Sequence, residues 1–228
     1  MEIFDRFIQI VLPSVNPVVF EFGTCDGQHT NVMCSILKQM QSDPRLMGQK
    51  NQFKYYAFEG DYRIIPRFWQ VNNNHVNEIV LNHAAIGNTD GEVTFNLSGG
   101  EESRPGHFKQ AFYGSSSIRK PKKTLEFWPD MTFEESTVKC YKFDTYYQEV
   151  NPGIIDFIWA DIQGAEGDLI DGGQLALSNT RYLYTEYSND ELYEGEIGLQ
   201  DILDKLPGNW SVVEDYGSDV LLKNEAFN

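Results

Sequence analysis

Four carboxylates in this chain stand where a buried strand gives way to a loop: Glu21 in EFGTCDG, Glu59 in YYAFEGD, Asp161 in IIDFIWADIQGAEG and Glu186 in RYLYTEYS. Each closes an apolar and aromatic run of the kind that forms a strand inside a core. A carboxylate at such an end can accept hydroxyl hydrogen bonds, offset a positive charge or, beside a second carboxylate, take up a proton as a general base. Two close carboxylates can also hold a divalent cation, and Asp161 with Glu186 is the pair placed to do either.

The turn after the first run is framed by Gly23 and Gly27, which let the backbone bend sharply and approach a ligand closely. The dinucleotide fingerprint G-x-G-x-x-G fails here, because Cys25 and Gln28 occupy two of its glycine positions. Glu21 and Asp26 place negative charge around the turn, which suits a cationic ligand better than a pyrophosphate. S-adenosylmethionine carries a sulfonium and an ammonium, and its own carboxylate can meet the amino end of the following helix. Glu59 is placed to accept both hydroxyls of an adenosine ribose. Ala85 and Ile86, just past a third strand, can frame the adenine ring.

The elements that must hold these residues alternate. An apolar strand at 18–22 leads to a helix near 30–41, a strand at 54–59, a helix around 62–72 and a strand near 78–84. Asp90-Gly91 marks a tight turn into another extended piece. From about 98 to 136 the pattern fades into a stretch rich in glycine, serine and proline, longer than ordinary connections and expected to be an inserted cap or loop region. A strand near 137–142, a helix at 145–149, the strand 154–161, a helix at 165–177, the strand RYLYTEYS, the helix EIGLQDILDKL and two closing extended runs complete the order. Strands alternating with helices predict an α/β fold with a mostly parallel sheet, helices on both faces and ligands at the strand carboxyl ends. Asp161 should then face the space beside the glycine turn, with Glu186 next to it.

The chain has 228 residues, of which 41% are hydrophobic, and is read as one domain over 1–228. Its net charge of −16 argues against a nucleic-acid partner. The local exception is the basic RKPKK at 119–123, which could meet an anionic group or form a solvated loop. No apolar run reaches the roughly 18 residues needed to span a bilayer. Residues 1–15 lack the basic start of a secretory signal and read as an amphipathic helix that packs on the domain or on a second subunit, which makes a homodimer plausible. Cys25, Cys34 and Cys140 form no disulfide pattern and favour a reducing, cytoplasmic setting, and Cys25, His29 and Cys34 match no zinc spacing. His83 reads as a satisfied core histidine, His29 as a cofactor neighbour or helix cap. Phe108, Phe112, Tyr113, Phe127 and Trp128 could stack on a sugar ring or pack a lid.

Taken in order, VVFEFGTCDGQHT, YYAFEGD, NHAAIGNTDGEVTF, YGSSSI and IDFIWADIQGAEGDLIDGG resemble the successive motifs of the FkbM family of class I S-adenosylmethionine-dependent methyltransferases. The resemblance runs from about Val18 to Glu186. It implies a Rossmann-like seven-stranded sheet with an antiparallel last strand, and O-methylation of a hydroxyl on a sugar, glycan or other small polar acceptor. Carried over residue by residue, it implies cofactor contacts from Glu21, Gly23, Thr24, Gly27, Thr30, Glu59, Ala85, Ile86 and Asp161. Acceptor contacts would come from Ser116, Ser117 and Gln163, with Asp161 and Glu186 as the catalytic carboxylates or, as a further option, metal ligands. Gln163 stands where the family commonly has Glu, and Trp159 where it commonly has Lys. The competing expectation is a nucleoside-binding domain of the same fold without turnover.

Overall fold

A computed structural model describes residues 2–46, 52–100 and 113–227. In chain order the elements are α1 (Ile3–Val11), β1 (Val18–Phe22), α2 (Gln28–Ser42), β2 (Lys54–Glu59), α3 (Ile65–Val71), β3 (Ile79–His83), β4 (Ala85–Gly87) and β5 (Gly91–Gly100). They continue with α4 (Thr124–Phe127), β6 (Met131–Lys142), α5 (Phe143–Val150), β7 (Ile155–Ala160), α6 (Glu166–Gly172), α7 (Gln174–Ser178), β8 (Thr180–Glu186), α8 (Leu199–Lys205), β9 (Trp210–Asp215) and β10 (Asp219–Asn224).

Seven strands form the central sheet in the order β3-β2-β1-β7-β8-β10-β9. The pairs from β3 through β8 are parallel, and β10 runs antiparallel to both β8 and β9. The predicted Rossmann-like sheet with an antiparallel last strand is therefore present. The order reverses between β1 and β7, whose ends meet in register at Phe22 and Ala160. A crevice beyond the carboxyl ends of these strands is the natural ligand position.

All five residues of β1 are buried, so its two faces feed two cores. Val18, Phe20 and Phe22 join Phe143, Leu169, Leu177 and Ile202 on one side of the sheet. Val19 joins Phe7, Val11, Met33, Leu37 and Phe68 on the other. The amphipathic α1 thus spends its apolar face on the domain's own sheet, with Phe7 edge-on to Phe157 and Phe4 stacked on Trp159. Burying a side chain such as Phe7 stabilises by about 1.5–3 kcal/mol. The observation that made a second subunit plausible is accounted for within one chain.

Three features depart from the sequence reading. A second sheet, ordered β4-β6-β5, stands beside the first, with β5 and β6 paired antiparallel along their lengths. The stretch 98–136 is accordingly not all irregular: its ends, 98–100 and 131–136, are ladder residues of β5 and β6. Phe108 and Phe112, part of the expected aromatic run, lie outside the described residues. The helix expected over 165–177 is divided into α6 and α7 at Gly173, where a Cβ would lie 2.8 Å from the Leu169 carbonyl oxygen and 2.9 Å from Phe143. Among the described residues no helix is long and apolar enough to cross a membrane.

Candidate active site

The turn after β1 is tied to β2 and β7 before any ligand is considered. The Gly23 and Thr24 amides both donate to the Phe58 carbonyl. Gly23 has φ +78°, and a Cβ there would sit 1.8 Å from the Asp161 carbonyl oxygen, so only glycine fits against the end of β7. Gly27, at φ +80°, precedes α2 and packs against Phe68 and Asn72 of the α3 region, with its carbonyl accepting from Asn72 Nδ2 at 3.0 Å.

Glu59 faces the crevice. One of its oxygens accepts from the Cys25 amide and the other from the Asp61 amide, both at 2.7 Å, so it bridges the turns after β1 and β2. Burial pushes its carboxyl up to about 8, against the pull of those two amides. Each oxygen keeps a further lone pair for a hydroxyl donor.

A crevice partly open to solvent runs from Glu59 to Asp161. Its apolar wall is formed by Ala85, Ile86, Phe95 and Ile118, and its far end by Asp161, Ile162 and Gln163. At that end Gln163 Nε2 donates to Asp161 Oδ1 at 2.7 Å and to Glu186 Oε2 at 2.8 Å. Burial pushes both carboxyls up, Glu186 further because the Asp161 charge faces it, and the two also share a hydrogen bond. Such a pair holds one proton between two acids. Glu166 lies behind it, buried and pushed up to about 8.

Of the residues singled out in the sequence, Gly23, Glu59, Ala85, Ile86, Ser116, Asp161 and Gln163 line this cavity, and Glu186 reaches it through Gln163. Others turn away. Glu21 is 1% exposed on the opposite face of β1, where it accepts from Thr30 Oγ1 at 2.6 Å and the Tyr55 hydroxyl at 2.5 Å. That network consumes both the Glu21 and the Thr30 side chains, because strand alternation sends consecutive residues to opposite faces. Thr24 Oγ1 is buried without a partner among the described residues. Ser117 is also buried, its hydroxyl donating to the Gln163 carbonyl at 2.7 Å. Ser116 lines the cavity but donates to Asp61 Oδ2 at 3.2 Å.

His83 is exposed and bonds the Gly60 carbonyl, so it is not a core histidine. His29 leaves the cap of α2 to Gly27 and lies against Trp159, their ring centroids 4.5 Å apart. Within RKPKK, Arg119 pairs with Asp168, Lys120 with Glu135 and Lys122 with Glu191. The segment also exchanges backbone hydrogen bonds with the loop after β8, Lys122 to Leu192 and Glu194 to Lys120. Three of its four cations are therefore paired with carboxylates of the protein itself. Tyr193, Phe95 and Ile118 went unnoticed in the sequence. Alternation in EVTFNLS was the available signal for Phe95, and nothing local marks Tyr193.

The donor set suits one cofactor class. A carboxylate for a ribose diol, an apolar slot for a purine and acidic groups for a cationic end together fit S-adenosylmethionine. No group of three or more His, Cys, Asp or Glu among the described residues is arranged to hold a metal ion. A seven-stranded sheet in this order, with β10 antiparallel to its neighbours, is the class I methyltransferase arrangement, whose methyl donor is S-adenosylmethionine. The family follows from sequence: residues 21–220 match the methyltransferase FkbM domain, and the chain belongs to that family.

The 2-O-methyltransferase NoeI of Sinorhizobium fredii (strain NBRC 101917 / NGR234) is 33% identical over 224 residues, covering 96% of this chain and 84% of that protein. The crystal structure of methyltransferase FkbM from Methylobacillus flagellatus KT superposes with a TM-score of 0.52 at 15% identity. That match covers 91% of this chain and 43% of the other, so the present chain spans less than half the length of that relative. An rRNA methylase from Streptococcus thermophilus shares the fold, with a TM-score of 0.50 at 8% identity over 97% of this chain and 94% of that one.

Proposed function

We propose that this chain is an O-methyltransferase that transfers the S-adenosylmethionine methyl to a hydroxyl of a sugar, glycan or similar small polar acceptor. The observation that carries the reading is the Asp161–Glu186 pair at one end of a cavity whose other end is Glu59. When bound, the cofactor supplies a methyl group on a sulfonium, and the S–C electron pair stays with sulfur as the O–C bond forms. Glu59 holds the ribose diol, Ala85, Ile86 and Phe95 take the adenine, and the Gly23 turn lets the backbone approach. The carboxyl pair orients the acceptor hydroxyl and takes its proton as the oxygen becomes a nucleophile. Most of the acceleration comes from alignment, and the proton transfer contributes roughly 10²–10⁴-fold. The 2-O-methyltransferase relative supports oxygen as the accepting atom. A net charge of −16 supports an acceptor without a phosphate backbone.

The test is calorimetry with S-adenosylmethionine on wild type and Glu59→Ala, followed by labelled methyl transfer to a panel of mono- and oligosaccharides by wild type and Asp161→Asn. Micromolar binding that Glu59→Ala weakens, and transfer that Asp161→Asn abolishes, are expected. An unaltered Asp161→Asn rate removes the base assignment, and no wild-type binding removes the cofactor assignment.

A further inference from the structure

Gln163 sits at the centre of the site, yet it has no donor left for a substrate. Both Nε2 hydrogens are committed, one to Asp161 at 2.7 Å and one to Glu186 at 2.8 Å. The single Tyr193 hydroxyl hydrogen is shared between the Ser115 carbonyl at 2.8 Å and Gln163 Oε1 at 3.2 Å. Its backbone carbonyl accepts from Ser117 Oγ.

The main chain there is constrained as well. Gln163 has φ +55°, in the left-handed region, and Gly164 follows at +86°. Position 164 faces Tyr193 so closely that a Cβ would lie 2.7 Å from that side chain. Strain of this kind, of order 1 kcal/mol, persists only where the surroundings over-determine it. Here they do so at a residue whose side-chain amide meets the two carboxyls and Tyr193.

We propose that Gln163 is the positioning residue of the methyl transfer: its amide locks the Asp161 and Glu186 carboxyls in one relative orientation, and Tyr193 fixes which way that amide faces. The inference rests on the reading of Asp161 and Glu186 as the acceptor of the hydroxyl proton, and it replaces the expectation that Gln163 touches substrate. Two facing carboxyls repel, and a neutral amide between them donates to both while adding no charge. A third carboxylate at this position would add repulsion. The other titratable groups that act on the pair are Glu21 from β1, Cys25 from the turn after it, Glu59 from β2, Glu166 from α6, Tyr184 from β8, Tyr193 from the loop after β8, Asp219 from β10 and His29 from α2, and of these only His29 favours the ionised form of Asp161. Losing the two amide donors therefore favours the protonated pair.

The deciding experiment titrates the pair without any acceptor, by carbon-13 carboxyl resonances of Asp161 and Glu186 in wild type, Gln163→Met, Gln163→Glu and Tyr193→Phe. S-adenosylmethionine affinity is measured on the same samples. Gln163→Met is expected to raise the pair's midpoint by about one pH unit, with cofactor affinity changed less than about threefold. Gln163→Glu should raise it further and Tyr193→Phe less. In turnover, the acid limb of the kcat profile should move upward by the same amount, so that Gln163→Met recovers at high pH. An unmoved titration in Gln163→Met overturns the proposal, as does a loss of cofactor affinity as large as the loss of turnover. If Gln163→Met does not fold, Tyr193→Phe decides, and an unmoved pair there overturns it. A fully active Asp161→Asn would instead overturn the base assignment, leaving the titration to report whether Gln163 governs the pair.

Discussion

Glu21 and Glu59 are the same residue type near the ends of neighbouring parallel strands, and they do opposite things. Glu21 is the penultimate residue of β1 and points beneath α2, into Thr30 and Tyr55. Glu59 is the last residue of β2 and points over the crevice, into the amides of the two turns. In the parallel register Glu21 lies opposite Ala57, so Glu59 shares its parity but stands two residues further along, where it meets the turn ahead of α2 rather than α2 itself. Phe22, the neighbour of Glu21, takes the place on the cavity wall that Glu21 was expected to fill. A carboxylate near a strand end is thus a ligand group only when it stands beyond the helix that covers the strand.

This contrast can be broken by substitution. Glu59→Ala should weaken S-adenosylmethionine binding by roughly 10²–10⁴-fold, since two hydrogen bonds to a charged group are worth about 1.5–3 kcal/mol each and every 1.4 kcal/mol is tenfold. Calorimetry reads this directly, and a change below about threefold would put Glu59 in the same structural class as Glu21.

Glu21→Ala should act on stability instead. It orphans the buried Thr30 and Tyr55 hydroxyls at a cost of about 1–3 kcal/mol each, which thermal unfolding would show as a lower Tm. Cofactor affinity at saturating fold should move less than about threefold. A large affinity loss without a change in Tm would reverse the two assignments.

A pH series sharpens the comparison. Glu59, at about 8, accepts hydroxyl donors best when ionised, so wild-type cofactor affinity should rise as pH passes 8 and flatten in Glu59→Gln. Glu21 should leave affinity alone and appear in the pH dependence of unfolding. Glu21, Glu59 and Glu166 sit at about 7, 8 and 8, above the usual glutamate range near 4.3. Between those values the folded chain holds more protons than the unfolded one, so stability falls as pH rises from about 4.5 to 8. The smallest expected effect is that Glu21→Gln removes one group's share of that slope, read as a shallower fall of Tm across the same window.

The comparison also shows what was legible beforehand. The strand runs 18–22, 54–59 and 154–161 are so apolar, and so regularly separated by helical patterns, that the parallel sheet and its switch point followed from them. Glu59, Asp161 and Gly23 were legible because they sit at strand ends, where position alone decides. Glu21 and Thr30 were misplaced because a fully buried strand does not show in sequence how near its end the covering helix packs, and α2 sets Thr30 directly on Glu21. The sheet of β4, β5 and β6 was seen only in pieces, since its strands lie on either side of a stretch whose composition reads as loop. Gln163 was noticed, but its role depends on Tyr193, a contact made only by folding.

The ribbon joining 119–124 to 191–196 has a consequence for how such enzymes can be re-engineered. Neither segment is held in place by itself: the Lys122 amide donates to the Leu192 carbonyl, the Glu194 amide donates to the Lys120 carbonyl, and Tyr193 reaches back to Ser115 and Gln163. The two form one module written in distant passages of the chain. A chimera that imports only one passage from a relative inherits half a module with mismatched seams, whereas exchanging both together moves an intact one. Acceptor preference should therefore travel with the pair of segments and with neither alone.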